Sequence, residues 1–242
     1  RDRFLLEKDK HLIEWDVSAA EKCGYSHFML KEIMEQPEAV RKTISPRLVN
    51  REIVLEELND AKELMKNISR IYIVACGSAY HVGVACQYVF EDLAEIPVRV
   101  ELASEFRYRK MVLDPNGLVI IVSQSGETAD SLAALREAQA RGAKVLGIVN
   151  VVGSSIAREA DNVMYTWAGP EIAVATTKAY SSQLIALYLL AMKFAFVRGK
   201  ITDSEMRGYI EDLQKLPEQV ELLLNNKNRI QKFANRYLAA RE

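Results

Sequence analysis

The sequence has few cysteines and almost no net charge, and both features narrow the class of protein. Cys23, Cys76 and Cys86 are the only cysteines among 242 residues, and none of them forms a CxxC pair. An odd count without such pairs argues against a disulfide framework, so we expect a reducing compartment, the cytoplasm. The formal net charge is -1, whereas general binders of nucleic acids or anionic membranes are usually strongly basic. We therefore expect neither nucleic acid nor membrane as a partner.

Long apolar runs and several well-known binding motifs are also missing. No stretch approaches the ~18 consecutive apolar residues of a membrane span. The patterns GxGxxG and GxxxxGK[ST] are absent, which removes the usual support for dinucleotide and P-loop nucleotide binding. The three histidines are scattered, and no set of His, Cys, Asp and Glu has the spacing of metal ligands. The sequence therefore predicts no metal site.

The ends of the chain suggest a piece of a longer protein. The sequence opens at Arg1 without an initiator Met or an apolar signal segment, and it closes in a helical pattern without a Gly or Pro stop. We expect a linker from a preceding domain at 1–24, helices that pack on the main domain at 25–61, the main domain at 62–202, and a helical linker at 203–242.

The middle of the chain alternates short apolar runs with helical stretches. The runs are rich in Val and Ile and mostly do not alternate with polar residues, which suits strands covered on both faces of a parallel sheet. Repeated β–α units with right-handed crossovers predict an α/β fold, a doubly wound five-stranded parallel sheet flanked by helices. The predicted strands are 71–76, 98–102, 118–123, 145–149 and 162–166, and the helices among them are 80–93, 104–110, 129–140 and 154–159.

Helices are also expected on both sides of this central region. A long apolar helix is predicted at 177–197, where fourteen uncharged residues separate Lys178 from Lys193. That run is too short for a bilayer and fits a helix buried against the sheet. Residues 201–242 indicate one or two amphipathic helices broken near Pro217. Earlier in the chain, helices are predicted over 26–36, 38–43 and 55–67.

Two polar loops follow the first and third predicted strands. The string Ser-Gln-Ser-Gly-Glu-Thr at 123–128 precedes a helix, and the N–H groups and dipole of a helix N-terminus favour an anion. The loop at 76–80 follows the first strand. In a 2-1-3-4-5 sheet these loops meet at the switch point where ligands bind, so we predict a phosphate monoester held by neutral donors. The alternative is that each loop only caps its helix, and Glu127 would repel a dianion unless it points away.

Four strings of the sequence, at 75–80, 103–110, 123–130 and 174–179, carry a family resemblance. In this order they resemble the glutamine–fructose-6-phosphate aminotransferase (isomerizing) family, also called the glucosamine-6-phosphate synthases. The string at 123–128 alone is similar to sugar isomerase (SIS) domains in general, and the four together are specific to the synthases. That family has a glutaminase domain followed by two SIS domains, and this chain resembles the first SIS domain, with flavodoxin-like strand order, plus its flanking linkers.

The resemblance also implies which residues bind the substrate. The phosphate of fructose 6-phosphate, or of glucose 6-phosphate, would be bound by the 123–128 string, with further contacts from the loop after the first strand. The family usually has Thr-Ser where this chain has Ser78 and Ala79, and Ala79 cannot supply a hydroxyl. The implied substrate-binding residues are Ser78, Ala79, Ser123, Gln124, Ser125, Thr128 and Val174.

The resemblance implies an activity for the parent enzyme and a limited role for this chain. The parent reaction transfers ammonia from L-glutamine to D-fructose 6-phosphate and isomerises the product to D-glucosamine 6-phosphate. The family's catalytic groups belong to the second SIS domain, so no catalytic residue is assigned here, and no metal or organic cofactor is implied. We expect the chain to bind sugar phosphate without turning it over. We also expect a homodimer with 105–109 near the interface.

Two other functions remain open from the sequence. One is a regulatory sugar-phosphate-binding SIS domain, as in some transcription factors, which would need a helix-turn-helix segment upstream. The other is a self-sufficient phosphosugar isomerase, for which Glu127 and His81 are the first candidates for acid and base.

Overall fold

A parallel β-sheet forms the centre of the molecule, for which a computed structural model describes residues 21–240. Five strands form this sheet in the spatial order β4-β3-β5-β6-β7, and every neighbouring pair is parallel. This is the predicted 2-1-3-4-5 order, so the predicted fold is confirmed. The strands are β1 (Leu48–Val49), β2 (Glu52–Ile53), β3 (Arg70–Ala75), β4 (Val98–Leu102), β5 (Gly117–Ser123), β6 (Lys144–Val149) and β7 (Asn162–Tyr165).

Helices cover both faces of the sheet, and a small antiparallel hairpin of β1 and β2, which the sequence did not indicate, precedes it. Two 3₁₀ turns, Ser45–Arg47 and Glu56–Ala61, complete the described elements. The predicted linker at 1–24 lies largely outside the described residues. The helices are α1 (Phe28–Met34), α2 (Gln36–Ile44), α3 (Lys62–Asn67), α4 (Gly77–Ala94), α5 (Ala103–Phe106), α6 (Ala129–Ala140), α7 (Ser155–Glu159), α8 (Lys178–Val197), α9 (Asp203–Asn225) and α10 (Lys227–Asn235).

Two apolar layers, one on each face, hold the sheet between the helices. Along β3, Ile71 and Ile73 point into the layer formed with α4 and α8, whereas Tyr72 and Val74 point into the layer formed with α6. Every residue of β5 is buried. Full burial of an Ile, Leu or Val side chain stabilises a fold by roughly 1.5–3 kcal/mol. The uninterrupted apolar runs of the sequence therefore match strands that have no face in water.

Helix α8 is the buried helix that the sequence predicts. It is long and apolar enough to cross a membrane by length and composition, but 61% of its most apolar window is buried inside the domain. It packs against α4 and α2, and the rings of Phe90 and Phe194 meet edge to face with centroids 6.1 Å apart. This helix fixes the position of the loop that leads into it.

The single helix predicted at 55–67 is wrong, because tertiary contacts replace its first half by a 3₁₀ turn. The backbone of Leu58 leaves the helical region, with φ -126° and ψ 16°. The carboxylate of Glu57 accepts a hydrogen bond of 2.6 Å from the buried Arg47, and the Glu57 carbonyl accepts one of 3.1 Å from Asn162 on β7. The turn therefore follows the sheet edge instead of its own helical pattern.

The predicted break near Pro217 is also wrong, because α9 continues through this residue to Asn225. Proline removes one helical hydrogen bond and crowds the preceding turn. The apolar stripe of α9, which includes Met206, Ile210, Leu213 and Pro217, is buried, and α9 packs against α2. Burial of the stripe offsets the cost of the proline. Beyond this stripe, Leu223 of α9 is exposed.

Candidate functional site

A cavity of about 360 Å³ opens at the carboxyl ends of β3 and β5, where the strand order reverses. The loops after both strands line it, together with the segment that leads into α8. All seven residues predicted to bind substrate line this one cavity. Its lining comprises Cys76, Gly77, Ser78, Ala79, Val122, Ser123, Gln124, Ser125, Thr128, Ser131, Val174, Thr176 and Gln183.

The 123–128 string forms a turn ahead of α6, and its hydroxyls organise that turn. The hydroxyl of Ser123 accepts a hydrogen bond of 3.0 Å from Gly126 N–H and lies 3.2 Å from the Thr128 hydroxyl. The Ser125 hydroxyl accepts from Glu127 N–H at 3.2 Å, which leaves the Ser125 proton available to a ligand. Thr128 is the N-cap of α6, which begins at Ala129. The turn thus presents hydroxyl donors immediately before a helix N-terminus.

Gly126 allows this turn to pack against the loop after β6. Its φ is +66°, and a Cβ at this position would lie 2.1 Å from the hydroxyl oxygen of the buried Ser154. Its carbonyl accepts a hydrogen bond of 3.0 Å from Ile156 N–H in α7. Both the backbone conformation and the available space therefore require glycine here.

Glu127 points away from the cavity, so the expected repulsion of a dianion does not arise. Its carboxylate accepts a hydrogen bond of 2.7 Å from the N–H of Ser155, the first residue of α7. Hydrogen bonds from Ser155 lower the pKa of Glu127, so the side chain is ionised at neutral pH. Glu127 precedes the first residue of α6, and its carboxylate binds the N-terminus of α7.

The lining of the cavity contains no charged side chain among the described residues. Two helices, α4 of 18 residues and α6 of 12 residues, begin at its edge. Each helix N-terminus is equivalent to roughly half a positive charge and offers N–H groups without helical partners. The site is therefore electropositive through backbone dipoles, and its hydroxyl and amide groups are neutral.

The loop between β7 and α8, which carries Val174, is held by carboxylates from two directions. Glu32 of α1 is buried and accepts hydrogen bonds from Ile172 N–H at 2.6 Å and Ala173 N–H at 3.0 Å. Glu171 accepts from the N–H groups of Thr177 and Ala179 at 2.9 and 3.2 Å. The loop backbone is thus tied to α1 and to the start of α8, while the Val174 side chain is fully exposed.

The charged side chains around this loop have hydrogen-bond or ion-pair partners inside the protein. Burial raises the pKa of the Glu171 carboxyl, and the two N–H groups that it accepts from oppose the rise. The ammonium of Lys178, at the start of α8, is buried and lies 2.7 Å from the Glu35 carboxylate. One ion pair and two carboxylates that accept main-chain N–H groups therefore surround the loop, and none of these side chains lines the cavity.

Asn150 is a positioning residue that the sequence reasoning missed. Its side chain donates to the Gly169 carbonyl at 2.8 Å and accepts from Thr166 and from Ala168 N–H at 3.0 and 2.8 Å. Its backbone N–H donates to the Gln124 carbonyl at 3.1 Å. One buried amide thus joins the loops after β5, β6 and β7. Its place directly after an apolar strand is the signal that could have identified it.

Cys76 lines the cavity, whereas His81, a candidate acid or base from the sequence, does not. Cys76 is half-buried, and its sulfur accepts a long hydrogen bond of 4.0 Å from Ser131. His81 is exposed on α4, with its ring against that of Tyr80. Within residues 21–240 no three His, Cys, Asp or Glu residues are grouped so as to hold a metal ion.

Comparison with known proteins places these features in context. A family model described as SIS domain matches residues 64–193. The chain is 55% identical over 226 residues to glutamine–fructose-6-phosphate aminotransferase [isomerizing] of Caldanaerobacter subterraneus subsp. tengcongensis, with 93% of this chain and 37% of that protein covered. It is 54% identical over 235 residues to the protein of the same name from Clostridium acetobutylicum, with 96% and 39% covered. The chain thus spans well under half the length of these curated relatives.

A solved structure is similar over most of the chain. The C-terminal domain of glucosamine-fructose-6-phosphate aminotransferase from Francisella tularensis superposes with a TM-score of 0.87 at 41% sequence identity. The match covers 90% of this chain and 61% of that one.

The packing of Gly126 predicts a large difference between two glycine substitutions. Gly142 also has a positive φ, +80°, but a Cβ there would meet nothing within 4 Å. We expect Gly142→Ala to cost about 1–2 kcal/mol of unfolding free energy from backbone strain. Gly126→Ala should cost about 1–3 kcal/mol more, because the loop at Ser154 must also move. Denaturant unfolding of both variants measures the difference, and equal costs would show that the contact with Ser154 is easily relieved.

Proposed function

The chain belongs to the SIS domain family, and from this premise we propose that it is the fructose-6-phosphate-binding half of the isomerase unit of a glutamine–fructose-6-phosphate aminotransferase (isomerizing). Such an enzyme converts L-glutamine and D-fructose 6-phosphate into D-glucosamine 6-phosphate and L-glutamate. The observation that carries the proposal is the neutral, donor-rich cavity at the sheet's switch point. The names of the relatives support the choice of substrate.

In this proposal the phosphate lies on the turn formed by 123–128. The hydroxyls of Ser123, Ser125 and Thr128 and the amide of Gln124 surround it, and the dipole of α6 compensates part of its charge. Ser78 and Ala79, in the first turn of α4, lie on the opposite side of the switch point. The hydroxyl of Ser78 can donate a hydrogen bond, whereas Ala79 contributes only its backbone.

The sugar would extend from the phosphate toward the loop that carries Val174. This loop is fixed through its backbone by Glu32 and Glu171, so the main chain at Val174 can serve as a rigid wall. A wall that is already ordered lowers the entropy cost of binding a small ligand.

The chain alone would bind the sugar phosphate and leave the isomerisation to other parts of the enzyme. Proton abstraction needs a base within ~3 Å of the reacting carbon. Glu127 is held by Ser155 at α7, and His81 does not line the cavity. The glutaminase and second SIS domains of the same polypeptide are the proposed partners. If the chain alone formed glucosamine 6-phosphate from fructose 6-phosphate and ammonium, the alternative of a self-sufficient isomerase would replace this proposal.

A regulatory sugar-phosphate-binding domain is the second candidate function. The same cavity would serve it, because its ligand has the same chemistry. It would need a DNA-binding segment, and the described region before the sheet consists of α1, α2, the β1–β2 hairpin and α3 packed around the domain. The similarity to the aminotransferases over more than nine-tenths of the chain favours the first candidate.

We also propose that the protein works in the cytoplasm as a homodimer. Among the described residues, Cys76 and Cys86 are free thiols, which a reducing compartment preserves. Near the segment 105–109, the side chains of Tyr108 and Val112 are 77% and 93% exposed. Exposed large apolar side chains of this kind are typical of protein–protein contacts when they lie together.

Removal of single hydroxyls from the turn tests the phosphate site. Ser125→Ala and Thr128→Ala should each weaken fructose 6-phosphate binding by about 1–3 kcal/mol, roughly 5- to 150-fold, because a ligand oxygen loses its donor. Isothermal titration calorimetry with the purified chain measures the dissociation constants. Ser204→Ala, on the exposed surface of α9, is the matched control and should bind like the wild type. Wild-type affinity in both turn variants would contradict the assignment.

The proposed dimer makes a separate prediction about mass in solution. Light scattering at ~100 micromolar should give twice the chain mass if the dissociation constant is near the ~1 micromolar that corresponds to roughly -8 kcal/mol. Val112→Lys should shift the protein toward the monomer, because it places a charge in an apolar contact. A wild-type chain that is monomeric at this concentration would refute the dimer.

A further inference from the structure

Gln183 is a buried amide at the wall of the cavity, and neither the sequence motifs nor the family resemblance assigns it a role. It is the sixth residue of α8 and is 1% exposed, yet it belongs to the lining. Its Oε1 has no hydrogen-bond partner among residues 21–240. Buried polar groups are paired in the large majority of cases, so each unpaired one needs a reason.

Of the polar residues just before Gln183 on α8, Ser181 has a hydrogen-bond partner, whereas the buried hydroxyl of Ser182 has none among the described residues and does not line the cavity. Ser181 donates a hydrogen bond of 2.6 Å to the Gln36 side chain of α2. Gln183, two residues later, is placed at the cavity instead. An unpaired acceptor at the wall of a cavity costs free energy that a donor on a bound ligand would recover.

The chemistry of the amide oxygen indicates which part of the ligand it meets. A phosphate monoester is mostly dianionic at neutral pH and carries acceptor oxygens only. It therefore cannot donate to Oε1, whereas a hydroxyl of the sugar can. We propose that Gln183 Oε1 accepts a hydrogen bond from a sugar hydroxyl of the ligand, while the turn at 123–128 holds the phosphate. This assignment rests on the proposed function and makes Gln183 a specificity-determining residue for the sugar.

The variant Gln183→Met tests this assignment, because it keeps the length of the side chain and removes its hydrogen-bonding atoms. Titrations with fructose 6-phosphate and with inorganic phosphate separate the two parts of the ligand. We expect about tenfold weaker binding of fructose 6-phosphate, the effect of one lost hydrogen bond, and unchanged binding of phosphate. Ser125→Ala is the matched comparison and should weaken the binding of both fructose 6-phosphate and inorganic phosphate.

Unfolding of the ligand-free variant distinguishes ligand binding from a purely structural role. The variant should unfold at the same or a higher denaturant concentration than the wild type, because it no longer buries an unpaired acceptor. If Gln183→Met were less stable than the wild type and lost the same affinity for both ligands, Gln183 would have a structural role and the proposal would be overturned. The proposal would also be overturned if Ser125→Ala weakened fructose 6-phosphate binding and Gln183→Met left that binding unchanged. A wild-type chain that binds no fructose 6-phosphate would instead defeat the proposed function itself, and this proposal with it.

Discussion

The register between β3 and β5 is the constraint on which the site depends. These strands run parallel, with Ala75 opposite Val122, so both strands end at the same edge of the sheet and at the same level along it. The crossovers from β3 to β4 and from β5 to β6 then diverge to opposite sides of this pair. The divergence leaves a crevice bordered by the starts of α4 and α6. A shift of either strand by two residues, about 6–7 Å, would separate the two loops that line the cavity.

A site built from backbone dipoles and hydroxyls has a different electrostatic character from one built on arginine or lysine. The lining is neutral, and the nearby ionisable groups are engaged with one another or with main-chain N–H groups. Glu127 serves α7, Glu32 and Glu171 hold the loop before α8, and Lys178 is paired with Glu35. Fixed dipoles need no counterion and lose no side-chain entropy when an anion binds.

The sequence predicted the sheet and its order because the strands are uninterrupted apolar runs, whose burial requires cover on both faces. It also predicted residues that the fold gathers into one cavity, because hydroxyl-rich loops after the first and third strands meet in any sheet of this order. It failed where long-range contacts outweigh local pattern. The 3₁₀ turn at Glu57 follows its bond to Arg47, and the path of α9 through Pro217 follows burial against α2. The role of Glu32 arises from Ile172 and Ala173, which lie far away in the chain, so no local spacing reveals it.

The attachment of the Val174 loop to α1 has a consequence for how this surface can diverge among related proteins. Glu32 and Glu171 accept hydrogen bonds from main-chain N–H groups, which every residue except proline provides. The path of the loop is therefore largely independent of the side chains at Ile172, Ala173 and Val174, which project from a fixed frame. Mutation at these positions can alter the chemistry at the rim without disturbing the frame. The side-chain chemistry of the rim can therefore change while Glu32 and Glu171 keep the main chain in place.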